Sequence, residues 1–105
     1  MRNEIIFYSS NTGYCQIQNW IISLETENKK RVYERLERVR LGNFGDYKNL
    51  DEGIYEFRFH FGCGYRIYFG KDGVNIVILL CAGEKDTQQK DIKKAKILME
   101  EYHND

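Results

Sequence analysis

The sequence contains no proline, no internal repeat and no low-complexity tract, so it offers no linker at which the chain would divide. Its 105 residues are read as one domain over positions 1–105, and 42 % hydrophobic content is enough to bury a core. Long apolar runs are missing as well: the longest, residues 74–82 interrupted at Asn75, has the length of a strand and cannot span a bilayer. The N-terminus lacks a basic segment followed by an apolar one, so no secretory signal is expected. Cysteine is scarce and odd in number. Cys15, Cys63 and Cys81 form no C-x-x-C pair and no Cys/His spacing, which argues against a disulfide framework or a metal site and fits a reducing cytoplasm. Sixteen basic residues balance sixteen acidic ones, which excludes a generally adhesive polycation.

The balance is not local. Residues 29–48 hold Lys29, Lys30, Arg31, Arg35, Arg38, Arg40 and Lys48 against Glu34, Glu37 and Asp46. Residues 53–71 add Arg58, Arg66 and Lys71 against Glu56 alone. A charge run on a helix is often only a solvated face, but a basic helix followed by a basic hairpin points to an anionic partner.

The hairpin is the most informative stretch. From Gly53 the chain alternates, with Tyr55, Phe57, Phe59 and Phe61 on one face and Glu56, Arg58 and His60 on the other. A Gly-Cys-Gly turn follows, after which Tyr65, Ile67 and Phe69 return to the core face and Arg66 and Tyr68 to the polar one. The expectation is an aromatic inner face and an open outer face on which Arg58, Arg66, His60 and Tyr68 could grip a phosphate.

Around the hairpin, residues 4–8 read as a first strand, followed by Ser9 to Thr12 as candidate helix caps. Ile17, Trp20, Ile21 and Leu24 recur at helical spacing, as do Val32, Leu36 and Val39 in a second helix that ends near Arg40 before Gly42. Asp72-Gly73 is a strong turn signal. Beyond it, residues 74–82 read as a central strand buried on both faces. A last helix from about Thr87 to His103 buries Ile92, Ala95, Leu98, Met99 and Tyr102. The order β-α-α-β-β-β-α predicts a compact α+β domain.

Several motifs occur in register: R-x-x-x-R-L from Arg31, G-N-F-G-D-Y-K at 42–48, Y-E-F-R at 55–58, G-C-G-Y-R-I-Y-F at 62–69, a L-L-C-A-G-E-K run ending at Lys85, and Q-x-x-D-I-x-x-A at 88–95. Together they resemble the RelE/ParE superfamily of type II toxin–antitoxin toxins, in particular its HigB-like branch of addiction-module killer proteins. The resemblance implies a RelE-like fold: an antiparallel sheet packed by two N-terminal helices and a C-terminal helix. It also implies a cytoplasmic toxin held by a cognate antitoxin, a helix-turn-helix DNA-binding protein, in a higher-order complex, with mRNA and the ribosome as targets and no cofactor. RelE- and HigB-related members cleave mRNA on the ribosome, whereas ParE-related members poison DNA gyrase. An inactive homologue that only binds the antitoxin is a further alternative.

Metal-independent RNA cleavage needs a base for the ribose 2′-OH, cations for the charge developing on phosphorus, and an acid for the leaving 5′-oxygen. The resemblance makes Arg66, in G-Y-R, the matching phosphate contact. Arg58 becomes a second cation, and Lys85 matches a basic residue at the scissile phosphate. An ion pair between Arg66 and Glu56 is the structural alternative for the first. Lys48, His60, Tyr68 and Arg40 are candidate RNA contacts. For the proton carrier, His60 has a side chain suited to acid–base work near neutrality. Where RelE-type enzymes often place a tyrosine or histidine, this chain has Gln88 and Asp91, and Tyr68 is a further possibility. The general acid and base stay open.

Overall fold

The structure, a computed structural model, describes residues 2–104. Strand β1 (Glu4–Phe7) leads to helices α1 (Gln16–Ser23) and α2 (Thr26–Arg40). Then come strands β2 (Tyr47–Asn49), β3 (Tyr55–Arg58), β4 (Tyr65–Asp72) and β5 (Ile76–Glu84), a 3-10 turn at Lys85–Thr87, and helix α3 (Gln88–Asn104). The five strands form one sheet in the order β1-β5-β4-β3-β2. Its last four strands are antiparallel, and β1 joins β5 in parallel. This is the expected α+β architecture, consistent with a RelE-like fold, with one additional strand.

That strand, β2, is three exposed residues held to β3 by backbone pairing, so no apolar pattern announces it. The first helix also starts later than its polar prelude suggests. Ser10 and Thr12 close a turn on each other, and Cys15 stands at the helix start without a side-chain cap. The strand expected at 74–82 begins at Ile76, while Val74 lies in the turn.

Both faces of the sheet are covered. Ile17 and Ile21 of α1 and Val32, Leu36 and Val39 of α2 pack on Phe57, Phe59, Ile67, Phe69, Val77 and Leu79. The rings of Phe57 and Phe69 stack at 4.0 Å, so the aromatic inner face forms as its alternation predicts. On the other face, Ala95, Leu98 and Met99 of α3 pack on Tyr68, Ile78, Leu80 and Cys81. A bulge between Tyr68 and Phe69 lets the consecutive residues Leu80 and Cys81 both turn toward α3. Two glycines permit the close approach. A Cβ on Gly70 would run into Met99, and one on Gly83 into the Asp91 carboxylate and the Thr87 hydroxyl.

The outer face of the hairpin is therefore not open along its length. Glu56 and Tyr68 are fully buried and Arg66 is 9 % exposed, because the apolar stripe of α3 takes this face as its own floor. Only the end of the hairpin, near Arg58 and the Gly62–Gly64 turn, reaches solvent.

Candidate functional site

The pairing register sets two cations against each other. Arg58 of β3 stands directly opposite Arg66 of β4, and Arg66 is opposite Gly83 of β5. One row away on the same face, Lys48 of β2, Glu56 of β3 and Tyr68 of β4 follow one another across the sheet. A methyl group built on Gly64 would touch both Lys85 Cβ at 3.7 Å and Arg66 Nη1 at 3.8 Å, so the stem of Lys85 and the Arg66 guanidinium converge on the glycine turn. Lys85 itself is exposed.

Arg66 carries its charge without a carboxylate within ion-pair distance among the described residues. Its Nη1 donates to the carbonyls of Tyr65 at 3.1 Å and Gly64 at 3.3 Å, while Nε is buried with no partner. The Arg66–Glu56 ion pair offered by the sequence does not form. Glu56 instead accepts from Arg58 Nε at 2.9 Å with one oxygen and from Gln88 Nε2 at 2.9 Å with the other. Register explains the exchange: Glu56 is opposite Tyr68, and Arg58 lies two residues along its own strand on the same face.

The four proton-carrier candidates separate sharply. Tyr68 is buried in the α3-side core with its hydroxyl unpartnered, and desolvation, with the Glu56 charge second, pushes its phenol well above the usual range. It can neither stack on a base nor lose its proton near neutrality, which corrects its assignment to the polar surface. Asp91 is 9 % exposed, and its carboxylate accepts from Thr87 Oγ1 at 2.6 Å above Gly83. It closes the start of α3 rather than facing solvent. Gln88 is an amide bound to Glu56, a latch between α3 and β3.

His60 alone of the four is exposed. Its Nε2 lies 2.5 Å from Asp46 Oδ2, and that hydrogen bond holds the Asp46 carboxyl below its ordinary range. Fourteen residues separate the two in sequence, and no spacing rule couples them. An imidazole oriented by a carboxylate is the arrangement that fixes a tautomer for proton transfer.

The remaining candidates lie apart. Lys48 is exposed on the edge strand β2. Arg40 is bound to Glu37 at 2.6 Å and lines a groove with Asn3, Phe7 and Tyr33 beside β1, away from Arg66. Sequence reasoning missed Arg35, which was one basic residue among many on α2. It is 8 % exposed, and its guanidinium donates to the carbonyls of Phe44, Asp46 and Arg58 at 2.6–3.2 Å while lying over the Phe57 and Phe59 rings. It positions the backbone of both Arg58 and Asp46.

Two comparisons bear on this arrangement. Residues 19–102 match a family described as phage-derived protein Gp49-like (DUF891). A Haemophilus influenzae protein described as an uncharacterized protein is 44 % identical over 84 residues, which cover 79 % of this chain and 85 % of that protein. The matched region contains every candidate named above.

Proposed function

The chain belongs to the phage-derived Gp49-like family, a RelE-like, addiction-module-toxin-like group, and on that premise we propose that it is the toxin of a type II toxin–antitoxin pair, of the HigB-like branch, acting as an mRNA endoribonuclease on the ribosome. The observation that carries this reading is Arg66. A nearly buried guanidinium with no carboxylate, set opposite a second arginine and beside Lys85, is an arrangement that an incoming phosphate would complete.

In the proposed reaction the ribose 2′-OH attacks the adjacent phosphorus and the 5′-oxygen leaves. Arg66 and Arg58 hold the non-bridging oxygens, and Lys85 approaches from the turn. The His60–Asp46 pair is the proton carrier best suited to the chemistry, since the other three candidates are engaged or buried. The antitoxin, a helix-turn-helix protein in this reading, covers the cationic end of the hairpin.

A second reading, a gyrase poison without nuclease activity, is favoured by one observation: the positions on α3 and β4 that would carry protons are locked inside the α3 packing. The purified protein in a reconstituted translation reaction and in a gyrase supercoiling assay separates the two. Cut message with unimpaired supercoiling is the expected result. Inhibited supercoiling with intact message would replace the nuclease by the poison.

A further inference from the structure

Arg31, Arg35 and Arg38 follow one another at one-turn intervals along α2, and the face they share does not end in solvent. It forms one wall of a cavity of about 200 Å³, whose other wall is the end of the hairpin: Arg58, Phe59, His60 and Phe61. Three arginines of α2 therefore flank one small space; Arg58 borders it on the side where its carbonyl accepts from Arg35, while its own side chain turns to Glu56 on the other face of the sheet. Glu34 is the single carboxylate on its lining. Asp46, whose charge acts on Arg35, is hydrogen-bonded to His60.

The donors are arranged for an oxyanion. Arg35 spends its hydrogen bonds on three carbonyls, which position its charge without cancelling it. Arg31 reaches no acid closer than Glu27 at 3.9 Å, and Arg38 forms no ion pair among the described residues. Planar forks of this kind match tetrahedral phosphate oxygens two at a time.

We propose that this cavity between α2 and the hairpin end is a second phosphate subsite, which holds a backbone phosphate of a single RNA strand. One feature favours RNA over an acidic peptide. Phe61 is half-buried at the cavity rim with Arg31 5.3 Å from its ring centre, a platform on which a base stacks beside its own phosphate. The volume exceeds that of a phosphate group alone and leaves room for part of a sugar. The owner of the phosphate rests on the nuclease reading; the anion site itself does not.

The test uses the whole chain. Inorganic phosphate, titrated against a chloride control, should shift the amide resonances of residues 58–61 and of the α2 positions around Arg31 and Arg38. The exposed double variant Arg31→Ala/Arg38→Ala should lose those shifts. It should also bind a single-stranded RNA octamer about tenfold or more weakly, with a shallower salt dependence by roughly one unit for the one to two lost contacts. A charge reversal, Arg38→Glu, should weaken RNA binding further while leaving the far-ultraviolet circular dichroism spectrum unchanged. Absence of phosphate shifts in a correctly folded protein would overturn the subsite. So would a hexaglutamate peptide that matches the RNA in affinity and displaces it equally. Message cleavage without phosphate shifts would retain the nuclease and discard the subsite, whereas phosphate shifts without cleavage would retain the subsite and discard the nuclease.

Discussion

Arg58 and Arg66 face each other across β3 and β4, yet of the two arginines Glu56 pairs with Arg58 alone. Like charges directly opposite on a sheet cost about 0.2–1 kcal/mol instead of stabilising it. Burying Arg66 with an unpartnered Nε adds to that cost. An arrangement that is poor for the folded state on its own becomes favourable once a phosphate supplies the missing negative charge. The local conflict thus marks the proposed site.

Arg35 separates structural from recognition arginines on α2. Arg35→Met leaves the carbonyls of Phe44, Asp46 and Arg58 without their donor and should destabilise the protein by roughly 2–4 kcal/mol. Arg38→Ala, at an exposed position, should stay within about 0.5 kcal/mol of wild type. Urea denaturation of the two variants measures the contrast; equal midpoints would contradict it.

Tyr68 gives the protein an alkaline limit. Its folded-state pKa is raised above the ordinary 10.0, so the stability it contributes is fully present below that value. That contribution is lost as pH rises from there toward the folded value, because the unfolded chain releases the proton first. Tyr68→Phe removes a hydroxyl that has no partner, and should leave stability at pH 7 unchanged or raise it by up to about 1 kcal/mol. The variant should also lose less stability than wild type between pH 9 and pH 11, as read by thermal melts; a steeper loss would refute the assignment.

Cys63 and Cys81 should separate by reaction with a disulfide reagent at pH 8. Cys63 is exposed, but the Glu84 carboxylate, through a hydrogen bond and its charge, raises the thiol above its ordinary range. It should react first, though more slowly than a free thiol, and Glu84→Gln should accelerate it. Cys81 is buried under α3 and pushed up to about 12 by desolvation, so it should stay silent until the protein unfolds.

Much of this was legible in the sequence, for identifiable reasons. Period-two alternation placed Phe57 and Phe59 inside and put Arg58 and Arg66 together on the opposite face, because side-chain direction follows strand geometry alone. The same alternation could not say what covers that opposite face. The stripe of Ala95, Leu98 and Met99 was visible, but its landing place depends on Gly70 and Gly83 admitting the helix and on a bulge at Tyr68. Hence Tyr68 and Glu56 were expected in solvent and lie in the core. Arg35 was hidden in a basic run whose members look alike until packing picks one. The His60–Asp46 pair depends on β2 lying beside β3, and β2 has no hydrophobic pattern to announce it.

The central claim is that Arg66 holds the scissile phosphate, and one comparison tests it most directly. Wild type and Arg66→Ala are added at equal concentration to a reconstituted translation reaction, and message 3′ ends are mapped and quantified, with circular dichroism spectra confirming equal folding. Wild type should generate discrete cuts, and Arg66→Ala should reduce them by at least about a hundredfold, the scale of losing one transition-state donor. Equal cleavage by a folded Arg66→Ala protein would contradict the account.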